Sequence, residues 1–586
     1  MRSITSTSML LSTSFFSIIC GAIANPLSSK ITGTTNPPTA TLSTSNESPK
    51  TIFVGRSLPE FNQDLFLGIK YADEPIRFTP AELKSAYASK DSNSGTYNLS
   101  QSGLSTIAKS VYYNATEYGY DCPAYGSDTT NMVNSGLITL NEDCFNLNII
   151  RPNTDENHEL LPVMIWIFGG GWTQGATADP RYNMSYIVEQ SALNGKPVLG
   201  VSINYRLAAF GFLDSEEVRA EGNTNLALRD QRTAMHHYLG RVRVSLWKYI
   251  LRISNAYSQI NSGAYSVGAH LVTNNGDNEG LFRAAIMDSG NAVGPPYNGT
   301  EWHQPMYNRI VERAGCTDST NTLQCLRELP YATLYNTANE GLEWFATVDG
   351  SFIAQYPQIS YRQGKLARVP ILIGTNTDEG TSFGTTGTNT DEDCINQLTT
   401  SKRWVLDRSQ ATQLLSYYPN IPAIGCPYGW GNTTWPSLGL MYKRYASMAG
   451  DLTMVAPRRL LAQRMAGWRD NVYSYRWDVA ALNSSTTIGV QHFAEIPFVF
   501  ANPVQSITPL GSDPARLELG QMAARMWTSF VADLDPNGHG VSDIAKWPQY
   551  SSRATNFVLR LPRNESYIEA DTYRVDGIDY INNIAR

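Results

Sequence analysis

The chain has 586 residues, of which 42% are hydrophobic and 17% are charged, a composition typical of a globular protein with a large core. Its formal net charge is −7 and no basic stripe dominates the sequence, which argues against nucleic acid as a partner. No Pro- or Ser-rich linker follows residue 52 and no internal repeat is present, so we expect one large domain over residues 53–586.

The first 24 residues have the features of a secretory signal peptide. Arg2 supplies a positive start, residues 9–23 form an apolar stretch too short to span a membrane comfortably, and Ala22 to Ala24 fit a cleavage site. Residues 25–52 are rich in Ser, Thr and Pro and are predicted to be a disordered leader. No later segment is long and apolar enough to cross a bilayer. We therefore expect a secreted, extracellular protein with no integral membrane segment.

Glycosylation motifs and cysteines agree with export. Eight Asn-x-Ser/Thr sequons occur, at Asn46, Asn98, Asn114, Asn183, Asn298, Asn432, Asn483 and Asn564. Of seven cysteines, Cys20 lies in the predicted signal peptide, and the other six are in a compartment that permits disulfides. Sequence alone leaves the connectivity open. Proximity along the chain favours Cys122–Cys144 and Cys316–Cys325, which leaves Cys394–Cys426.

Short apolar runs that alternate with helical patterns indicate an α/β protein with a mainly parallel, doubly wound sheet and helices on both faces. The predicted strands are residues 145–150, 163–168, 198–204, 283–287, 370–374 and 472–477. Helical spacing is clearest over residues 225–239 and 517–534. Ligands bind such sheets beyond the carboxyl ends of the strands, so the segments that follow these runs are the candidate site.

The run at residues 163–168 is almost wholly apolar and ends in Gly169, Gly170 and Gly171. Such a run bounded by glycine is typical of a strand buried on both faces. Glycines lack Cβ atoms, so their backbone can approach a ligand closely and leave N–H groups free. Two or three free N–H groups at a strand end suit an oxyanion hole; the alternative is a tight turn after a core strand.

A set of motifs spans the chain: residues 142–148, 167–172, 204–213, 222–231 and 547–550. Together these motifs resemble the signatures of the type-B carboxylesterases, the cholinesterase and fungal lipase group of α/β-hydrolases. The resemblance extends from about residue 53 to residue 575. It implies an α/β-hydrolase fold and hydrolysis of carboxylic esters through an acyl-enzyme, with Gly170 and Gly171 as oxyanion donors.

The resemblance also implies two members of a catalytic triad. Residues 374–380 resemble the family's acid loop, with Glu379 in the position of the acid, and residues 491–497 resemble its histidine loop, with His492 in the position of the base. The histidine would take the proton of the nucleophile and return one to the leaving alcohol, while the glutamate holds the imidazole. Taken alone, a glutamate in a polar loop is usually solvated, and a single histidine is usually structural.

The segment that should carry the nucleophile departs from the family pattern, which is Gly-Glu-Ser-Ala-Gly-Ala followed by a helix. The helix half is present from Gly263 onward, and alignment there puts Asn261 in the position of the serine. Residues 239–260 replace the family's helix end, turn and apolar strand: residues 240–253 carry none of the expected turn signals, and a largely polar run at 254–259 stands where the apolar strand is expected. Ser262 lies one position late and is a weak substitute.

Two further serines were considered as nucleophiles. Ser266 is expected inside the helix, facing away from the turn. Ser382 lies in a literal Gly-x-Ser-x-Gly, but this motif directly follows Glu379 and precedes no apolar helix, so its context is wrong. The chain as written is therefore predicted to be an inactive or nearly inactive esterase.

Two functions remain open at this stage: a secreted carboxylic ester hydrolase, and a catalytically inactive relative that acts as a binding or adhesion protein. Retention of the acid, the base and the glycine run favours the first. A true lipase is a weaker alternative, because the loop between Cys122 and Cys144, its candidate lid, is rich in Asp, Asn and Ser, which favours soluble or short-chain esters over lipid. With no Cys/His cluster at ligand spacing and no phosphate loop, neither a metal nor an organic cofactor is expected.

Overall fold

The computed structural model describes residues 37–42, 50–84, 87, 110–153, 161–238, 255–258, 262–338, 344–401, 403–468, 471–504, 509–551 and 553–585. The predicted signal peptide, the first part of the predicted leader and Asn261 lie outside these residues. Residues Pro37 to Arg586 form one compact unit.

Two sheets contain the strands of the described part of the chain. The strands are β1 Thr39–Leu42, β2 Lys50–Val54, β3 Arg56–Leu58, β4 Gln63–Lys70, β5 Ser110–Asn114, β6 Asn146–Pro152, β7 Val163–Trp166, β8 Leu199–Ile203, β9 Asn255–Ser258, β10 Ala284–Asp288, β11 Ile371–Asn376, β12 Val472–Trp477, β13 Thr555–Leu559 and β14 Tyr567–Ala570. The large sheet has 11 strands in the order β14-β13-β12-β11-β10-β9-β7-β8-β6-β4-β3. Strands β8, β7 and β9 to β13 are mutually parallel, and the margins are antiparallel.

The helices are α1 Ser127–Asn134, α2 Met184–Leu193, α3 Ala208–Phe212, α4 Glu216–Ala220, α5 Leu226–His237, α6 Ser262–Val272, α7 Thr300–Arg313, α8 Thr322–Glu328, α9 Tyr331–Ala338, α10 Pro357–Gln363, α11 Gly380–Phe383, α12 Asp391–Thr400, α13 Arg408–Ser416, α14 Tyr442–Gly450, α15 Ala456–Gly467, α16 Ile496–Val499, α17 Pro514–Asp533 and α18 Val575–Ile584. A π-helical turn, Asp451–Val455, joins α14 to α15. The fold is that of an α/β-hydrolase, with a mainly parallel central sheet as predicted.

The central strands form because they are apolar on both faces. Every residue of β7, β8, β10 and β11 is buried. A strand covered on both faces gains stability from apolar side chains pointing either way, which explains why these strands are apolar runs rather than alternating patterns. All six predicted strands are confirmed, with bounds shifted by no more than a few residues.

One central strand was missed by the sequence analysis. Asn255–Ser258, in the polar run that was expected to replace an apolar strand, lies as β9 between β7 and β10. Its backbone pairs in parallel with both neighbours, with Trp166 opposite Ser258 and Ala284 opposite Ala256. Two flanking strands supply backbone hydrogen bonds whatever the side chains are, so tertiary context overrides weak strand propensity here.

The predicted leader ends earlier than residue 52. Strand β1, Thr39–Leu42, pairs antiparallel with β2, and β2 pairs in parallel with β5, giving a three-stranded sheet. Ala40 is buried in this sheet. The prediction of disorder up to residue 52 was therefore wrong for this part, because a Ser/Thr-rich strand gains order by pairing with a distant partner that composition does not reveal.

Two of the three predicted disulfides are confirmed. Cys122–Cys144 and Cys316–Cys325 are bonded, with Cα atoms 5.0 and 5.8 Å apart, within the range that a disulfide requires. The predicted Cys394–Cys426 bond is not formed, and both residues are buried thiols. The two short pairings were predicted from proximity in the sequence, whereas the third was predicted only because two cysteines were left over.

The two free thiols have different surroundings. Cys394 lies on α12 in a small apolar cluster that also contains Leu398 and Tyr445. The Cys426 Sγ lies 3.8 Å from Asp378 Oδ1. Burial raises the pKa of the Cys394 thiol to about 11 and also raises that of Cys426, so both thiols are protonated near neutral pH.

Candidate active site

The predicted site segments gather at one edge of the large sheet. The glycine run follows β7, Ser289 follows β10, Glu379 follows β11, and His492 lies on the loop after β12. Because these strands are parallel, their carboxyl ends all lie at the same edge. Strand β9 lies between β7 and β10, and Asn261 follows β9 in the sequence but lies outside the described residues.

Glu379 and His492 form a buried hydrogen-bonded pair. The Glu379 Oε2 lies 2.6 Å from His492 Nδ1, and the two side chains are 1% and 8% exposed. The other carboxylate oxygen, Oε1, accepts hydrogen bonds from the Ser289 hydroxyl at 2.5 Å and from the Asn376 N–H at 2.7 Å. Three donors therefore fix the orientation of the carboxylate, which in turn fixes the imidazole ring.

The second ring nitrogen of His492 is free. Its Nε2 is buried and has no hydrogen-bond partner among the described residues. The Phe383 ring packs beside the imidazole, with centroids 5.1 Å apart. When Nδ1 donates to Glu379, Nε2 carries the lone pair, so the arrangement leaves a base positioned for a proton that another group must supply.

The backbone of the acid loop packs so closely against α14 that only glycine fits at the position after Glu379. A Cβ atom at Gly380 would lie 1.7 Å from the carbonyl oxygen of Ala446 on α14. Close packing of this kind explains the glycine of the acid motif. It also holds the short helix α11, and with it Phe383, against the site.

A second buried carboxylate, that of Glu495, lies behind the pair and was given no role by the sequence analysis. Its Oε2 accepts from Asn376 Nδ2 at 2.6 Å, and its Oε1 lies 3.4 Å from the Ser289 hydroxyl. Burial raises the pKa of Glu495 well above its ordinary value, and the nearby charges of Glu379 and Asp288 raise it further. The raised pKa favours the neutral form of Glu495, which avoids like-charge repulsion with the carboxyl group of Glu379.

Ser289, which links the two carboxylates, was also missed. The sequence analysis placed residues 288–290 at this edge of the sheet but assigned no role to the hydroxyl. Ser289 has a positive φ of 60°, which directs the chain sharply away from the end of β10. The preceding Asp288 accepts from the Tyr475 hydroxyl at 2.8 Å and from Trp527 Nε1 at 3.1 Å. No sequence signal identifies these partners, because they come from distant segments.

Asp378 connects the acid loop to the loop that carries His492. Its carboxylate accepts from the N–H of Val490 at 2.8 Å and from the N–H of Tyr428 at 2.7 Å. The side chain is 3% exposed, and burial raises its pKa. Since Val490 is two residues before His492, Asp378 positions the histidine loop.

The glycine run forms an open backbone turn. Gly170 and Gly171 have φ values of 120° and 67°, and a Cβ atom at Gly170 would lie 2.2 Å from the Gln174 carbonyl oxygen. Neither N–H donates a hydrogen bond to a residue that the structure describes. Free N–H groups at a strand end are what an oxyanion hole requires.

Trp172 joins this turn to the helix that follows the nucleophile position. Its Nε1 donates to the Ser266 hydroxyl at 2.8 Å, and Gln231 Nε2 donates to the same oxygen at 3.1 Å. Ser266 is fully buried on α6, and its orientation relative to the nucleophile turn stays a prediction because that turn lies outside the described residues. Ser382 is exposed on α11.

The nucleophile position itself lies outside the described residues. Asn261 belongs to the gap between β9 and α6, and Ser262 is described only as the first residue of α6. Within the described ranges no group of three or more His, Cys, Asp or Glu side chains could hold a metal ion. In the same ranges no helix combines the length and apolar character needed to cross a membrane.

Comparison with known proteins gives consistent matches. The chain matches the model of the carboxylesterase family over residues 53–238 and 260–575. It is 32% identical to secreted lipase 1 of Botryotinia fuckeliana over 476 residues, covering 76% of this chain and 77% of that protein. It is 27% identical to the secreted triacylglycerol lipase LIP1 of Gibberella zeae over 555 residues, covering 88% of this chain and 87% of that protein.

The fold matches that of a solved structure. The crystal structure of Aspergillus niger EstA superposes with a TM-score of 0.75, covering 91% of this chain and 96% of that chain at 24% identity. The family match skips residues 239–259. This interruption coincides with the segment that the sequence analysis identified as a departure from the family pattern.

Proposed function

Because the chain belongs to the carboxylesterase family, we propose that its site is built for hydrolysis of carboxylic esters through an acyl-enzyme, with His492 as base and Glu379 as acid. The observation that carries this proposal is the Glu379–His492 hydrogen bond of 2.6 Å, in which His492 Nε2 makes no hydrogen bond to a described residue. A protein that only binds a partner has no need of the acid, the base and the glycine run together.

In this mechanism each group has a defined role. His492 Nε2 takes the proton of a serine hydroxyl as the oxygen attacks the ester carbonyl, and Glu379 stabilises the resulting imidazolium. The N–H groups of Gly170 and Gly171 donate to the oxyanion. The histidine then protonates the leaving alcohol, and a water molecule, activated by the same nitrogen, hydrolyses the acyl-enzyme.

The serine of this scheme is absent from the chain. Asn261 stands at its position and has no adequate nucleophile, so we propose that the chain as written hydrolyses esters very slowly. Loss of the nucleophile of a serine hydrolase costs on the order of 10⁶ in kcat. The interruption of the family match at 239–259, directly before this turn, supports the proposal.

We further propose an extracellular location and a soluble or short-chain ester as substrate. Two relatives are named secreted lipases, which agrees with the signal peptide predicted at residues 1–24. The loop between Cys122 and Cys144 contains α1, whose buried residues include Met132. Few large apolar side chains remain on its surface, apart from Val133 and Leu137, which favours a soluble ester over a lipid surface.

Fluorophosphonate labelling of the secreted protein, followed by mass spectrometry of the labelled peptide, tests the proposal. We expect no label, together with detection of a peptide that contains Asn261. A label on a serine in a peptide absent from this sequence would show that the secreted chain has an intact nucleophile turn. A label on Ser262 would show that a shifted turn works. Ordinary esterase turnover by a chain verified to contain Asn261 would contradict the proposal of slow hydrolysis.

The alternative function is that of a binding or adhesion protein on the same scaffold. The observation that favours it is Asn261 in place of a nucleophile. If the protein carries no label and shows no ester turnover, this alternative becomes the better description of the chain.

A further inference from the structure

The guanidinium of Arg403 lies one aromatic ring away from His492. Its central carbon is 5.4 Å from the centroid of the Phe383 ring, and that ring is 5.1 Å from the imidazole. On another side the same carbon is 5.9 Å from the centroid of Phe345. Contact with aromatic rings stabilises a cation without using its N–H donors, which leaves those donors for another partner.

Arg403 has no carboxylate partner in the described part of the chain. Nearby arginines differ: Arg408 pairs with Glu392 at 2.6 Å and Arg444 pairs with Asp391 at 2.7 Å. Arg403 is only partly exposed, so its charge is not fully solvated. One side-chain hydrogen bond links it to Tyr265, and the other N–H donors of its planar guanidinium are suited to bind a carboxylate in two-point contact.

A narrow cleft adjoins this guanidinium. It is lined by Arg403, Tyr297, Asn298, Val293, Trp404 and Leu406, and its volume is about 60 Å³. A water molecule needs roughly 10–15 Å³ of a cavity volume of this kind, so the cleft can hold a few waters or a small polar group. The cleft therefore has room for a small polar group and not for a long acyl chain.

Two buried polar groups of the cleft residues have no partner. The Tyr297 hydroxyl and Asn298 Nδ2 make no hydrogen bond to a described residue, although the side chains belong to residues only 1% and 6% exposed. Buried donors without partners are unusual in folded proteins and call for a ligand or water. Both groups can donate to an anion.

The charge of Arg403 also acts on the helix that follows the nucleophile position. Tyr265 is buried on α6, and burial raises its pKa to about 12, while the positive charge of Arg403 opposes this rise. A side-chain hydrogen bond between Arg403 and Tyr265 also lowers this pKa. Arg403 therefore interacts with α6 as well as with the cleft.

We propose that this cleft binds a carboxylate group through Arg403, with the Tyr297 hydroxyl and the Asn298 amide as further donors. We assign this carboxylate to the far end of the acyl part of an ester substrate, so the site selects half-esters of dicarboxylic acids over neutral esters. This assignment rests on the proposed ester-hydrolase function. A neutral acyl chain would desolvate the guanidinium without giving it a partner, which is unfavourable.

Equilibrium binding tests the site without requiring turnover. Titration calorimetry at pH 7 and low salt would compare monoethyl adipate, which carries one carboxylate, with diethyl adipate, which carries none. We expect the charged ligand to bind at least tenfold more tightly, because charge-assisted hydrogen bonds are stronger than neutral ones. Equal binding of the two ligands would overturn the proposal.

Two variants and a control test whether the preference for the charged ligand arises in the cleft. Arg403→Gln should abolish the preference for the charged ligand, and Tyr297→Phe, which removes only a hydroxyl, should reduce it. Arg408→Gln removes an exposed charge that is already paired with Glu392, and it should leave the preference unchanged. If the Arg403→Gln variant has an unchanged melting temperature and keeps the full preference for the charged ligand, the proposal is overturned.

Acetate distinguishes a substrate carboxylate from a free one. Weaker binding of acetate than of monoethyl adipate supports a subsite for the substrate. Equal binding of both, lost in Arg403→Gln, would support the carboxylate site but overturn its assignment to an ester substrate. Failure of the proposed hydrolase function would appear separately, as retained ligand preference without fluorophosphonate labelling or ester turnover.

Discussion

The two halves of the candidate site differ in how well their surroundings are preserved. Glu379 and His492 are held by hydrogen bonds from the ends of β10 and β11 and from the loop after β12. The nucleophile turn after β9 instead adjoins an interruption of the family match and carries Asn261. In the described part of the chain, the hydrogen bonds of the acid–base pair come from the end of β10, the end of β11 and the pair itself.

The difference teaches that an intact acid–base pair does not establish activity. The pair is stabilised by burial and by hydrogen bonds of its own, and these interactions contribute to folding as well as to catalysis. A nucleophile turn contributes mainly to catalysis, because it is a strained strand-to-helix turn with little packing of its own. Such a turn can be lost while the rest of the site is retained.

Restoring the nucleophile turn should give the largest effect. The combined change Gln259→Gly, Ile260→Glu, Asn261→Ser and Ser262→Ala rebuilds the family motif, and we expect a rise in kcat/KM for p-nitrophenyl acetate of at least roughly a hundredfold, within the 10⁶ that a nucleophile contributes. The matched control has the same three flanking changes but keeps Asn261. An equal rate in the restored protein and the control would show that the acid–base half is not functional either.

Glu379→Gln in the restored protein should lower kcat by roughly 10⁴, the scale of tautomer reversal in a triad. The glutamine oxygen would still accept from Ser289 and from the Asn376 N–H, so its amide group would face His492 Nδ1. The histidine would then be protonated on Nε2 and could not take the serine proton. Both kcat and KM are measured, and a change confined to KM would contradict the role assigned to Glu379.

Asp378→Asn should weaken the link between the two loops. An amide offers one acceptor where the carboxylate offers two, so one of the N–H donors of Tyr428 and Val490 would lose its partner. We expect a loss of unfolding free energy of about 1–3 kcal/mol, measured by urea denaturation. Asp391→Asn, an exposed carboxylate on α12, is the control. If both substitutions have the same small effect, Asp378 does not hold the histidine loop.

Glu495→Gln should give the smallest effect, one that grows with pH. Because the pKa of Glu495 is raised in the folded protein, its contribution to stability is fully present below its ordinary pKa of 4.5 and is lost as pH rises through the raised value. The glutamine variant lacks this loss, so its melting temperature relative to the parent should rise between pH 5 and pH 8. A difference independent of pH would show that Glu495 does not titrate as described.

Sequence patterns predicted the components of the fold that depend on local composition. Buried parallel strands are apolar runs, so all six predicted strands and the mainly parallel sheet could be read from the chain. Glu379 and His492 could be identified because their motifs resemble a known family, and the departure at Asn261 is visible in the sequence alone. The two disulfides with short spacing followed from proximity.

Only the tertiary structure decided the features that depend on distant partners. Strand β9 forms from a polar segment because β7 and β10 offer backbone hydrogen bonds on both sides. Ser289 and Glu495 reach the acid across strands that are far apart in sequence, and Cys394 and Cys426 remain thiols because the fold gives each of them other neighbours. Composition and spacing describe a segment by itself, whereas these outcomes are set by the groups that the completed sheet places beside it.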